Sequence, residues 1–245
     1  MLNKDKRSII LSMVLGDGCI GTADNHYKGK TYPSGKIVIK HGAKQQDYLK
    51  WKAEILSAVV EKEIKIHPTK SYVKALDKSY DQFQLSWSYK PLRSWKKIFY
   101  NNNTKRIPKI LKFIRHDSFA AAVWLMDDGS CTKTKKKNGT VVFTGFVLYI
   151  CDQFREDCEE ILNWWNTTFN VNGSLKWQKQ KYKGIIKEFP KIHFSNLDSL
   201  KIWDQIKPFV MQIPSMVDKF QAVENRRNRR DLAQPQAEIE NSLKT

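Results

Sequence analysis

The apolar positions of this chain follow a pattern that is written twice. Residues 8–15 (Ser-Ile-Ile-Leu-Ser-Met-Val-Leu) are apolar all round, so as a helix they must be buried, and Gly16 and Gly18 stop it. A loop with Tyr32-Pro33-Ser34-Gly35 then precedes a strand-like stretch at 36–41. Residues 47–60 predict an amphipathic helix, with Tyr48, Leu49, Ile55, Leu56 and Val59 on its apolar face. Strand signals follow at 64–73 and 82–89. The second alternates strictly, Phe83, Leu85, Trp87 and Tyr89 against Gln82, Gln84, Ser86 and Ser88. A short helix starts at Pro91 and runs through Trp95 and Ile98.

The same order returns about 111 residues later. Residues 119–126 are again apolar all round and end at Asp127-Asp128-Gly129. A strand at 141–150, an amphipathic helix at 157–169, strands at 174–180 and 191–194, and a helix at 197–206 ended by Pro208 complete the copy. The chain therefore reads as α+β, one αββαββα unit written twice, with boundaries at 1–114 and 115–222. Residues 223–245, with Arg226-Arg227-Asn228-Arg229-Arg230, form a polar tail, frayed or a charged surface helix.

Composition narrows the class. At 245 residues there is chain for one sizeable domain or two small ones. Forty-three Lys plus Arg against 25 Asp plus Glu give +18, which favours a polyanionic partner. The surplus is uneven, +15 over residues 1–116 and +3 over the rest, so the first half carries the stronger anion-binding surface. No apolar run is long enough to span a membrane, and the N-terminus does not resemble a cleaved signal. Four cysteines without a CxxC pair point to a reduced, intracellular, soluble protein; bacterial or phage cytoplasm and an organelle matrix both fit. The five histidines show no metal-ligand spacing, and no phosphate-binding Gly-rich loop appears.

The chemistry lies in two acids. Asp17-Gly18 and Asp128-Gly129 each follow a buried helix. Asp-Gly is also an ordinary turn dipeptide, but here it recurs at equivalent places in a repeat. A carboxylate at a helix C-terminus is misplaced by about 0.3–1 kcal/mol, and side-by-side packing of the helices adds repulsion that a hard divalent cation would relieve. Ser12 and Ala120, Ala121 and Ala122 would let the helices approach closely.

These residues carry a resemblance. Met13-Val14-Leu15-Gly16-Asp17-Gly18 and the run from Ala121 to Gly129 resemble the two signature helices of the LAGLIDADG homing endonucleases, in the single-chain branch that holds both repeats in one polypeptide. Leu15 stands at the family's first acidic position and three alanines open the second helix; the later acid is present in both. The resemblance implies two pseudo-symmetric half-domains, paired helices at their interface and a saddle of antiparallel sheets on double-stranded DNA. It implies Asp17 and Asp128 as catalytic ligands of two or more Mg²⁺ ions, with the carbonyls of Gly16 and Asp127 assisting. Lys105, in Lys105-Arg106-Ile107-Pro108, and Lys219, after Ile213-Pro214-Ser215-Met216, match lysines that stabilise charge or orient water, though a lysine-rich chain also has ordinary surface lysines.

A strand in the major groove aims every second side chain at base edges, which nominates Lys40, Lys65, His67, Gln82, Gln84, Ser86, Lys176, Gln178 and Gln180. The same positions are equally the solvated faces of half-buried sheets. Basic loops with Lys133 and Lys135, and with Lys183 at the end of the 179–183 run, suit phosphates. The implied activity is a metal-dependent double-strand break across the minor groove, with short 3′ overhangs, in a long non-palindromic site, by an intron-encoded monomer. A maturase acting on its own intron RNA, or a catalytically silent DNA-binding protein, would use the same fold without needing both acids.

Overall fold

In each repeat a buried helix leads into the first strand of a four-stranded sheet, through a short turn in the first repeat and directly in the second. The structure, a computed structural model, describes residues 2–27, 30–73, 77–150, 153–182 and 185–242. The first repeat contains α1 (Lys4–Ser12), β1 (Cys19–Tyr27), β2 (Lys30–Gly42), α2 (Gln46–Val60), β3 (Ile66–Val73), β4 (Lys78–Tyr89) and α3 (Leu92–Phe99). A connector follows, with β5 (Tyr100–Asn101), β6 (Thr104–Lys105) and α4 (Ile107–Leu111). The second repeat contains α5 (Asp117–Asp128), β7 (Gly129–Lys135), β8 (Val141–Tyr149), α6 (Arg155–Phe169), β9 (Ser174–Tyr182), β10 (Ile185–Phe194) and α7 (Asn196–Val210). Helix α8 (Pro214–Ser242) closes the described chain and carries helical backbone beyond residue 222. The expected αββαββα order is present twice, and the sheets share one topology, β1-β2-β4-β3 and β7-β8-β10-β9, antiparallel throughout.

Several elements differ from their expected form. Strands β1 and β7 have no clean alternation, and pairing to a neighbour recruits them despite it. Tyr32-Pro33-Ser34-Gly35 lies inside β2, not in a loop. Pairing with β4 begins only at Gly35, so Pro33 has a neighbour on one side alone, where a missing N–H is tolerated. Lys133 and Lys135 lie in β7, and residues 179–182 in β9, where basic loops were expected. Pro208 does not end α7, which continues to Val210; its missing N–H forgoes one intrahelical bond near the helix end. Helix α1 stops at Ser12, and Met13, Val14 and Leu15 continue as tight turns, Val14 N donating to Leu11 O at 3.0 Å and Leu15 N to Ser12 O at 3.3 Å.

The core is continuous across the repeats because α1 and α5 pack together at its centre. Ala120 to Met126 are all buried, as are Ser8 and Ser12. The serines are satisfied locally, Ser12 Oγ donating to Ser8 O at 2.9 Å and Ser8 Oγ accepting from Arg115 N at 2.8 Å. The halves are also tied at their rims. Arg106 grips Asp157 of α6 through two guanidinium nitrogens, and Asp47 accepts from both the amide and hydroxyl of Ser215 at the start of α8. In the second sheet Gly145, at φ +151°, sits beside the register shift of β7, and a Cβ there would lie 2.0 Å from Phe194 O. Among the described residues no helix is long and apolar enough to cross a membrane, and Cys19, Cys131 and Cys158 are free; Cys151 lies outside them.

If the α1–α5 packing sets the geometry, Ala121→Leu overfills it. The substitution is expected to cost about 1–3 kcal/mol, read as a lower urea midpoint with an unchanged m-value.

Candidate active site

The acids meet because the helices do. Asp17 lies between the end of α1 and the start of β1, and Asp128 is the last residue of α5, directly before β7. Both line one cavity of about 510 Å³, with Gly16, Gly18, Lys105 and Tyr149 also in its wall. Close approach there depends on Gly16: a Cβ at that position would lie 2.3 Å from Asp127 Cβ. Burial and the carboxylate of Asp127 raise the pKa of Asp17. Burial, then Asp127 and Asp17, push Asp128 up to about 7. The carboxylate of Asp17 nonetheless keeps 44% of its side-chain surface open to solvent.

Each helix end has a lysine beneath it. Lys105 Nζ donates to Val14 O at 2.5 Å, Gly16 O at 2.6 Å and Gly18 O at 2.8 Å, which uses all three ammonium protons on the turn that carries Asp17. Lys219 Nζ donates to Met126 O at 2.6 Å and lies 3.4 Å from the carbonyls of Leu125 and Asp127. Burial lowers both ammonium pKa values, while the neighbouring carboxylates oppose the fall. Lys105 is aimed by the hairpin of β5 and β6, whose two turn residues, Asn102 and Asn103, both adopt positive φ, as a two-residue turn of this hand requires. The carbonyl of Gly16, one expected metal ligand, thus already accepts from Lys105; that of Asp127 is only loosely approached by Lys219.

A third acid was not anticipated as a side chain. The carboxylate of Asp127 has no solvent exposure; Oδ1 accepts from Lys52 Nζ at 2.6 Å and Oδ2 from the amide of Asp17 at 3.0 Å. Lys52 Nζ also lies 3.2 Å from His41 Nε2, and His41 Nδ1 lies 3.4 Å from Asp17 Oδ2. Burial alone would raise Asp127, but Lys52 and His41 outweigh it and hold the acid below its ordinary value. Burial and Lys52 push His41 down to about 4, so the ring is neutral near pH 7. A neutral ring accepting from Lys52 at Nε2 carries its proton on Nδ1, facing Asp17. The signal for Lys52 was present: it falls at helical spacing between Leu49 and Leu56 on the apolar face of α2.

Strand register groups the expected DNA-reading residues. In the first sheet Lys40, Gln84 and His67 form one row across three strands, with Gln82 and Ser86 on the same face. Lys65 is exposed just before β3. The opposite face holds Ile39, Leu85 and Ile66 against the core. In the second sheet Lys176, Gln178 and Gln180 share a face, joined by Tyr149 and Lys191, and Lys191 Nζ donates to Gln178 Oε1 at 3.0 Å. Lys133 does not join them. Past the register shift it pairs across from Phe143 and lines a cavity with Gln221 and Arg226 of α8; Lys135 shares that parity. Lys183 lies outside the described residues.

Comparison with known proteins agrees with this architecture. A family model described as LAGLIDADG DNA endonuclease family matches residues 7–192. A probable intron-encoded endonuclease 1 of Wickerhamomyces canadensis is 30% identical over 129 residues, which is 50% of this chain and 48% of that protein, so the chain spans about half the length of this curated relative. Among solved structures, the homing endonuclease I-WcaI bound to its DNA recognition sequence is 21% identical, with a TM-score of 0.62 over 89% of this chain and 87% of that one. Mesophilic variants of the homing endonuclease I-DmoI match at 14% identity and a TM-score of 0.47, over 83% and 95% of the respective chains.

The raised pKa of Asp128 has a sign that can be measured. The folded state holds this proton up to about pH 7, the unfolded chain only to about 4. The group therefore costs stability as pH rises through that window. In EDTA, wild type is expected to lose on the order of 1–3 kcal/mol more than Asp128→Asn between pH 5 and pH 8, followed by urea denaturation.

Proposed function

The chain belongs to the LAGLIDADG DNA endonuclease family, and from that we propose that it is a site-specific homing endonuclease, acting as a monomer on a long, asymmetric duplex site. The observation that carries the reading is the convergence of Asp17 and Asp128 on one cavity at the ends of two packed helices, each end backed by a half-buried lysine. Acids whose pKa values are raised by burial and by the carboxylate of Asp127 in a partly open cavity gain from a bound cation, and their hard oxygen donors suit Mg²⁺. Asp17 and Asp128 would hold the ions. A divalent cation there supplies Lewis-acid stabilisation of the scissile phosphate and lowers the pKa of a bound water. Lys105 and Lys219 spend their hydrogen bonds on the helix-end carbonyls, which supports a role in fixing where the two acids stand. The polar rows led by Lys40 and Lys176 would read base edges, and the surplus of +15 over residues 1–116 would hold phosphates.

A second reading, binding of intron RNA, is favoured by one observation. Lys4, Arg7, Lys112 and Arg115 line a separate cavity of about 320 Å³ at the other end of α1, and no acid contributes to its wall. RNA binding that survives loss of Asp17 and Asp128 but not of these four cations would support it, and RNA binding indifferent to the four would remove it.

The deciding experiment is a cleavage selection with Mg²⁺ on a library of long randomised duplexes. Wild type is expected to yield one recurrent asymmetric site. Asp17→Asn and Asp128→Asn should each slow cutting by about 100-fold or more while changing affinity by less than about 3-fold. Cutting should also weaken below pH 7, as protons compete with the ion at Asp128. Binding should fall with salt at a log–log slope of about −0.9 per phosphate neutralised. Undiminished cutting by both variants, or a flat salt response, would defeat the proposal.

A further inference from the structure

The two halves repeat the same fold, yet they differ beneath the acids. The left-handed caps Glu61 and Asn170 set α2 on α6 with an offset of 109 residues. Matching side-chain bonds confirm that register: Ser57 Oγ accepts from Ile64 N at 2.9 Å, and Asn166 Oδ1 from Gly173 N at 2.7 Å. On that offset Lys52 corresponds to Ile161 and His41 to Ile150, both buried. Asp17 corresponds to Asp128, so Asp127 corresponds to Gly16. The acid of the first half, Asp17, thus stands beside a buried Lys–His–Asp cluster whose Asp comes from the second half, where Asp128 has Ile, Ile and the Gly of the first half. The second half's version of this place is the open side: Gly16 and Ile150 line the 510 Å³ cavity.

The cluster can be mistaken for a metal site, since ligand atoms of Asp17, His41 and Asp127 lie within 4.8 Å of one another. The position is already taken by a cation. Lys52 Nζ, with no solvent exposure, stands 2.6 Å from Asp127 Oδ1 and 3.2 Å from His41 Nε2. A fixed ammonium binds Asp127, Asp127 binds the amide of Asp17, and His41 faces the carboxylate of Asp17. Asp17 is therefore held at its backbone, and faced at its side chain, by groups that one buried charge fixes. Among the described residues nothing equivalent holds Asp128, because Gly16 has no side chain to reach its amide.

We propose that Lys52 is a positioning residue which, through Asp127 and His41, fixes Asp17 and makes the two cleavage events unequal: one strand is cut with its help and the other without it. This rests on the endonuclease reading above. Its test uses the selected duplex with each strand end-labelled in turn, and single-turnover nicking rates measured for each. Lys52→Met should slow one strand by about 30-fold and leave the other, and duplex affinity, within about 3-fold. A loss of stability alone would lower both rates together, so the ratio between strands is the readout. Where Lys52→Met fails to fold, for want of a partner to buried Asp127, Lys52→Met/Asp127→Asn leaves no unpaired buried charge and should slow the same single strand. Equal slowing of both strands by folded protein, or no slowing, overturns the inference alone. Wild type that cuts neither strand overturns the endonuclease reading and the inference with it, before any variant is made.

Discussion

Two helices that lead side by side to a pair of carboxylates, Asp128 at the end of α5 and Asp17 in the turn after α1, make a repulsive arrangement. The partial negative charge of each helix end adds to the charge of the acid it carries, and burial strengthens both. The structure meets this with three lysines, Lys52 buried and Lys105 and Lys219 half-buried. Lys105 and Lys219 answer the helix dipoles by saturating orphan carbonyls, and Lys52 answers the additional charge of Asp127. Each lysine requires its own support. The Asn102-Asn103 turn exists in a position to aim Lys105, and α8 is anchored by Asp47 at a point that brings Lys219 under α5. Elements that look peripheral in topology are thus fixed by the charge balance at the centre.

The same constraint explains the side chains between the helices. Close contact needs small residues, and Ser8, Ser12, Ala120, Ala121 and Ala122 supply them. Their close contact brings the acids into one cavity and also sets the starting points of β1 and β7, since each strand begins within two residues of its acid. Register then carries that placement outward. A row such as Lys40–Gln84–His67 is defined relative to Asp17 by counting along β1 and across the pairing, so the polar rows of the sheets and the acids share one rigid frame.

Most of this frame was legible in the sequence, for physical reasons that differ by element. Helices apolar all round can only be buried, and a duplicated Asp-Gly after them marked the acids. Strict alternation marked β4, and with it Gln82, Gln84 and Ser86. What escaped was decided by pairing, not by local pattern. Strands β1 and β7 carry polar and glycine residues that alternate poorly, and Lys133 changes sides because of a register shift made possible by Gly145. Lys52 and His41 escaped for another reason. A lysine on the apolar face of α2 and a histidine after Ile37 and Ile39 are visible as exceptions, but the partner that makes sense of both, Asp127, is about 75 residues away and belongs to the other repeat.

That partnership has a consequence for symmetry. Gly16 and Asp127 occupy corresponding places at the helix interface, and each is required by the other. Two aspartates would collide, because a Cβ at residue 16 already lies 2.3 Å from Asp127 Cβ. Two glycines would leave the buried ammonium of Lys52 without its anion and the amide of Asp17 without its acceptor, a loss of several kcal/mol in a dry site. A symmetric pair of identical subunits could adopt only one of those two poor solutions. Two repeats in one polypeptide escape the choice, since one side can be small and the other charged. The asymmetry beneath Asp17 is therefore a state that this architecture permits because both halves lie in a single chain, and it gives one fold two unlike surroundings for its two acids.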